Sequence, residues 1–416
     1  GCIDMGKVHI LILFVFNSWI VSSVDWAQGN PEIRCHAVLQ LNDRRAIPFE
    51  VTYTAGKQPS LSIHNGEERI DLRFLVEKND SIYMEFPEIA GKIVFHKQTL
   101  SGRWINLNKS NPTSYPFLFY TVAEGIDHRF DLPLDLVAPI FEGIYDVIFT
   151  DSEGDAKAIG VFKQQGSKIE GTFRTETGDY RYLSGGVFNG VMKLSCFDGV
   201  HAFLFEAAMD ADDSTVMRGD FYSGSKYHAT WTGVLNPNAK LTPPNAISWP
   251  TESLAALNIT IKTNRGKEKT LSTDFFHGKP SVIQLMGTWC PNCLDESKYF
   301  IELSKQGSFK DIRFIGIGFE NGNSDKDRMA RLKKYQKKMG FSYPVYLGGG
   351  ASTKDAHAVF NQLNGVFSFP TTIFLDKKGR IVQVNSGFDG PATGVFYKSM
   401  QEETERLLLK LLQADE

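Results

Sequence analysis

From about residue 36 to residue 235, apolar and polar residues alternate in short runs broken by Gly, Asn and Asp, with almost no helical period. A period of two puts one face of each run in a core and the other toward water, which is the pattern of antiparallel strands. Val51-Thr52-Tyr53, Ser81-Ile82-Tyr83-Met84-Glu85-Phe86 and Lys92-Ile93-Val94-Phe95 are examples. The second half is clearer, with strands predicted over 145–150, 158–163, 168–175, 180–183, 191–195, 202–205, 216–222 and 227–234. Short turns join them, as at Gln164-Gln165-Gly166-Ser167, so neighbours in sequence are predicted to be neighbours in the sheet. Such a meander covers its edges either by closing into a barrel or by packing one sheet on another.

The pattern changes after the polar, proline-rich stretch 236–245. Residues 281–285 and 312–318 read as buried strands, and Met329, Leu332, Tyr335 and Met339 mark one face of a helix. Residues 371–375 and 381–385 form a hairpin across Asp376-Lys377-Lys378-Gly379-Arg380, and Leu407, Leu408, Leu411 and Leu412 stripe a terminal helix. The predicted order is a βαβ unit, a helical stretch, a β-hairpin and a last helix. The expected fold class is therefore multidomain, an all-β antiparallel barrel or sandwich followed by an α/β domain.

Near the start, Lys7 precedes the apolar run Val8-His9-Ile10-Leu11-Ile12-Leu13-Phe14-Val15-Phe16, with small residues at Ala27 and Gly29. This reads as a secretory signal initiated at Met5 and cut before Asn30, or at Ser23, with an uncleaved membrane anchor as the competing reading. The divisions expected are a signal at 1–29, a β-rich region at 30–240 separable near 141, a linker at 241–250 and the α/β domain at 251–416. The 416 residues, 42% of them hydrophobic, suffice for more than one core, and the formal charge of -3 provides no basic field for nucleic acid. Five cysteines, at positions 2, 35, 196, 290 and 293, are too few for a disulfide-built scaffold and suit a redox motif plus scattered thiols.

That motif is Met286-Gly287-Thr288-Trp289-Cys290-Pro291-Asn292-Cys293, set between a predicted strand and a predicted helix over 294–305. A cysteine at this junction sits at the positive end of the helix dipole, where unpaired N–H groups favour a thiolate, with a pKa of about 3.5–7.5 against about 8.5 for a free thiol. A second cysteine one turn inward is within reach for a disulfide. The pair can cycle between dithiol and disulfide, with Cys290, at the exposed end, as the nucleophile.

The order of elements, with Trp289-Cys290-Pro291-Asn292-Cys293 early and Ser368-Phe369-Pro370-Thr371-Thr372 before the third strand, resembles the thioredoxin fold. More closely, the stretch 254–412 resembles the exported TlpA/ResA-type disulfide reductases, grouped with the AhpC/TSA proteins. Gly287-Thr288-Trp289-Cys290 and Gly387-Phe388-Asp389-Gly390-Pro391 carry part of that likeness. The resemblance implies that Cys290 attacks and Cys293 resolves, that Pro370 is cis and faces the pair, and that Phe369 lies at the surface where a substrate chain docks. It also implies a periplasmic or cell-envelope location, protein disulfides as clients, a separate thiol electron donor, and no cofactor or metal. Glu320 matches a carboxylate that, partly buried, can move a proton to or from the resolving thiol. Trp289 is open between a surface platform beside the thiol and core packing.

Other residues draw plainer readings. The cysteine pair could be a structural disulfide or half of a zinc site, but no second CxxC or His pair completes a ligand set. Cys35 and Cys196 either pair or stay as buried free thiols. The basic run 331–338 reads as a solvated helix face, His357 as structural, and Trp104, Phe173 and Trp231 as core. Two rival functions stand beside disulfide reduction. A peroxidase needs a Pro-x-x-x-Thr-x-x-Cys arrangement, whereas Thr288 stands two residues before Cys290. A binding module would make the β region the active part and the redox domain its accessory.

Overall fold

The computed structural model describes residues 31–414. The expected signal segment and Cys2 lie outside the described residues. Among the described residues, no helix is long and apolar enough to cross a membrane.

Three sheets follow one another along the chain. The first is nine-stranded and antiparallel, in the spatial order Glu68–Asp71, Ser60–Asn65, Arg45–Thr54, Ile33–Asn42, Thr113–Tyr120, Ser101–Asn106, Gly91–His96, Ser81–Glu85 and Arg73–Lys78. The second, from Gly143–Asp151 to Tyr227–Leu235, closes on itself because Gly154–Gln165 pairs with Gly143–Asp151 on one side and Lys168–Thr175 on the other. Closure removes the edges that a long meander would leave open. Alternation drives both sheets: in Gly143–Asp151, Tyr145, Val147 and Phe149 are buried while Asp146 and Thr150 face water.

The barrel of the second sheet is filled rather than hollow. Phe173, Phe205, Phe221 and Trp231 meet inside it, and the Phe205 and Phe221 rings stack at 4.1 Å. Phe173 and Trp231 in this barrel, and Trp104 in the first sheet, are core residues, as read from the sequence. Phe197 leaves the second sheet to pack between Phe49 and Trp104 of the first, so the two sheets share apolar contacts.

The third sheet is seven-stranded, in the order Glu268–Leu271, Ile259–Lys262, Val345–Gly350, Arg313–Glu320, Ser281–Met286, Thr371–Leu375 and Ile381–Ser386. Its centre is parallel and its far side antiparallel. Ser281–Met286 is buried at all six positions, as a central strand covered on both faces must be. Helices Pro291–Lys305, Asp325–Met339, Thr353–Val359 and Val395–Gln413 pack around it. Asp325–Met339 shows why such a segment starts and stops: the Ser324 hydroxyl accepts from the Asp327 N–H, and Gly340 takes a left-handed φ of 67°.

Three corrections concern this part. Val345–Gly350 adds a third parallel strand where a helical stretch was expected to run on, and Ile259–Lys262 with Glu268–Leu271 forms an unexpected hairpin at the edge. Three glycines hide the first from a β-propensity reading, and four-residue strands carry too little period to detect. The basic run is the third correction. Arg331 donates to the carbonyls of Leu107 and Lys109, and Lys338 donates to that of Phe86, so two of its cations are tied to turns of the first sheet.

Candidate functional site: a buried cysteine pair

Strand Ser281–Met286 ends at the sheet's carboxyl edge, and helix Pro291–Lys305 starts five residues later. Cys290 is the N-cap residue of that helix. Its sulfur receives the Cys293 N–H at 3.2 Å, and Pro291 supplies a pre-set φ at the first helical position. Cys290 and Cys293 are joined as a disulfide. The Phe369–Pro370 peptide is cis, and the Phe369 carbonyl oxygen lies 3.6 Å from the Cys290 sulfur. The fold thus brings together two segments about eighty residues apart along the chain.

Trp289 is half-buried: its indole N–H donates to the Phe319 carbonyl at 2.9 Å and its ring meets that of Phe369 edge-on at 5.7 Å. Trp289 is thus anchored from within and only partly open to solvent. Phe369 is half-buried rather than freely exposed, and Pro370 is buried.

Two buried carboxyls with raised pKa values neighbour the motif, Glu320 through Thr288 and Glu296 along the helix. Glu320, at the end of Arg313–Glu320, is 1% exposed and accepts from the Thr288 N–H and hydroxyl, both at 2.7 Å. Burial pushes its pKa up to about 7 against the pull of those two donors. Glu296 went unnoticed in the sequence. It stands three residues beyond Cys293, one turn deeper in the helix, and accepts from the Thr372 hydroxyl at 2.7 Å. Burial raises it to about 8, and its second oxygen has no hydrogen-bond partner among the described residues. The i, i+3 spacing from Cys293 was the available signal.

Cys290 is the outer of the two sulfurs, yet the expectation of an exposed position fails. Cys290 is 7% and Cys293 0% exposed. Leu294 and both cysteines belong to the same buried apolar cluster as the inner residues of the first sheet. Asn292 donates to the Asp179 carbonyl at 3.0 Å. Arg181, also missed in the sequence, donates through Nε and Nη2 to the two oxygens of Asp295 and further to Asp198 and Glu68. No sequence signal pointed to it, because two of its three partners lie more than a hundred residues away.

Cys35 and Cys196 are free and buried, and burial pushes the Cys35 thiol up to about 11. Among the described residues, no group of three or more His, Cys, Asp or Glu side chains is arranged to hold a metal ion.

Residues 251–395 match the sequence model of the Redoxin family. The thiol:disulfide interchange protein DsbE of Haemophilus influenzae is 32% identical over 116 residues, which are 28% of this chain and 55% of that protein. The thiol-disulfide oxidoreductase ResA of Bacillus thuringiensis is 26% identical over 132 residues, 32% of this chain and 68% of that one. A crystal structure of a thioredoxin-family thiol:disulfide interchange protein from Chlorobium tepidum aligns at 22% identity and a TM-score of 0.29, covering 42% of this chain and 99% of the other. The chain spans little more than half the length of the DsbE proteins it matches. The C-terminal part is a redox domain of thioredoxin-like fold with a disulfide-forming cysteine pair, similar at low identity to the DsbE and ResA proteins.

Proposed function

We propose that this chain is an exported thiol-disulfide oxidoreductase that reduces disulfides in proteins. The observation that carries the reading is the Cys290–Cys293 disulfide at a helix N-terminus, with the Cys293 N–H directed at the Cys290 sulfur. The same N–H and the helix dipole would stabilise a Cys290 thiolate once the pair is reduced.

In the reduced protein the Cys290 thiolate attacks one sulfur of a client disulfide. The client's S–S bond breaks, its second sulfur leaves as a thiolate and takes a proton, and a mixed disulfide remains on Cys290. Cys293 loses its proton and attacks the Cys290 sulfur. The mixed disulfide breaks, the client leaves as a dithiol, and the Cys290–Cys293 disulfide forms. Two electrons and two protons pass to the client, and an external thiol donor restores the dithiol. A buried thiol gives up its proton more easily to a nearby base. Glu296, one turn below Cys293, and Glu320, above Thr288, are the two carboxyls placed to take part, each with a pKa raised by burial. Trp289, Phe369 and cis-Pro370 would form the bed for the client's chain.

The test uses the reduced full chain and a disulfide carried in an unfolded, extended protein chain. Client thiols are expected to appear in step with the Cys290–Cys293 disulfide. Cys290→Ser abolishes the reaction, and Cys293→Ser accumulates a mixed disulfide through Cys290 that is absent from the Cys290→Ser control. If client thiols fail to form and Cys293→Ser traps nothing, the reading is wrong.

A further inference from the structure

Disulfide exchange needs a nearly linear approach of three sulfurs, so the attacked or attacking atom must be reachable from outside. Here the region around Cys290 is covered by the chain's own β sheets. The turn after Ser81–Glu85 places Phe86, Pro87 and Ile89 across from Pro291 and Leu294, and the gap that remains is a cavity of about 20 Å³. That volume is close to what a single water needs. Pro291 is buried and Leu294 is 4% exposed. Pro291, which begins the helix beside the sulfur, thus faces a turn of another sheet.

A second segment lies against Asn292. In the turn that follows Lys168–Thr175, Gly178 comes so close to Asn292 that a Cβ on it would lie 2.2 Å from the Asn292 amide nitrogen. Gly387, which follows Ile381–Ser386, is close against the backbone of Thr177 and Gly178, where a Cβ on it would lie 2.8 Å from the Thr177 carbonyl carbon. Asp179 accepts from the Gly390 N–H at 2.6 Å. Beside these contacts, Arg174 holds both oxygens of Asp389 at 2.7 Å and lies 3.7 Å over the ring of Phe396. Both members of the Arg174–Asp389 pair are about one-seventh exposed. Arg181 makes the deeper connection to Asp295, two residues beyond Cys293. Thus two separate parts of the β region rest on the helix that carries the cysteines, and each is fixed by polar bonds as well as apolar contact.

We infer that the β region determines which disulfides the site accepts: segments 86–89 and 176–181 occupy the face beside Cys290 on which a folded client would seat. This rests on the disulfide-exchange reading above and deepens it. With both segments in place, the approach left to the sulfur runs past Trp289 and Phe369, which are half-buried, and it admits a small or extended disulfide. A folded protein disulfide is excluded until the contacts around Arg174–Asp389 part. Arg174 is a positioning residue in this scheme, since it touches neither cysteine.

The test compares access with exchange in the full-length chain. On a Cys293→Ser background, iodoacetamide and a polymer-linked maleimide are each reacted with Cys290, and the adduct is mapped by mass. The closed molecule is expected to take iodoacetamide and to resist the larger probe. Arg174→Asp sets two carboxylates against each other, and is expected to raise the rate with the large probe about tenfold, as a shift of about 1.4 kcal/mol toward the open form would. The iodoacetamide rate should change less than about twofold, a difference under half a kcal/mol. Adding Asp389→Arg restores the pair with its charges exchanged and should return the slow rate. Asp389→Asn, a milder change, carries the same expectation if Arg174→Asp does not fold. Equal access of both probes in the parent, or no response of the large probe to either latch variant, overturns the proposal. Neither measurement requires turnover, so the two readings fail separately. Free access together with reduction of a protein disulfide removes the gate and keeps the reductase. Gated access with no reduction in an opened chain that retains both cysteines keeps the gate and removes the reductase.

Discussion

At the scale of single residues, the chemistry depends on burial more than on residue type. Glu296 and Glu320 are ordinary glutamates in the sequence, but inside the protein their charged forms lose water and their pKa values rise to about 8 and about 7. The consequence for stability has a definite sign. Between the ordinary glutamate range and the folded pKa, the native state holds a proton that the unfolded chain has released. Unfolding free energy therefore falls with rising pH, by up to about 1.4 kcal/mol per pH unit for each such group. The contribution of Glu296 is fully present below about pH 4.5 and is lost as pH rises through about 8. Glu296→Gln should flatten the profile across that window, as read by urea unfolding at a series of pH values; an unchanged slope would show that Glu296 is not buried as a neutral acid.

The strand-to-helix junction at Cys290 is an element-scale feature, and so is what leans on it. Gly387 takes a φ of 77°, in the left-handed region, and a Cβ there would stand 2.8 Å from the carbonyl carbon of Thr177. Both the conformation and the contact argue for glycine. Gly387→Ala is expected to destabilise the protein by about 1–3 kcal/mol and to loosen the turn at 176–178. Amide exchange should then quicken at Gly178 and Gly390 while the second sheet's barrel amides keep their protection. Uniform acceleration through the barrel would contradict this account. Elements also set the limits of what periodicity reveals. Ser281–Met286 and Asp325–Met339 are legible because burial on both faces and a single apolar stripe leave distinct patterns, whereas Val345–Gly350 ends in three glycines and leaves almost none.

Across the whole molecule, residues Glu32–Glu416 form one compact unit, and Arg181 shows how its sheets are joined. This residue adopts a left-handed φ of 54° and sends its guanidinium to Glu68 of the first sheet, Asp198 beside the second and Asp295 of the cysteine helix. Removing one member of a buried ionic group leaves the others without compensation, which costs about 3–5 kcal/mol. Arg181→Met should lower stability by that order, measured by denaturant unfolding, and Asp295→Asn added to it should recover part of the loss. A loss under about 1 kcal/mol would place Arg181 among the exposed pairs that contribute little.

Local chemistry and periodicity were enough to specify the antiparallel β character of the first two sheets, most strands of the second, and the strand-to-helix setting of Cys290-Pro291-Asn292-Cys293. Each of these is encoded over a few residues, by alternation, by a turn or by a short motif. Glu320, Phe369 and Pro370, by contrast, were pointed out by the resemblance to a family. The strand expected at 180–183 is absent, the chain pairing instead at Gly178–Asp179 and Leu183–Phe188. The sequence alone could not disclose that Cys290 is only 7% exposed, that Arg331 and Lys338 dock on turns of the first sheet, or that Arg181 meets Asp295. Those facts depend on which surfaces come to face one another across more than a hundred residues of chain, and neither composition nor period carries that information. The physical reason is that burial and pairing belong to the packed assembly of three sheets, so the cover over the redox site was decided by tertiary structure alone.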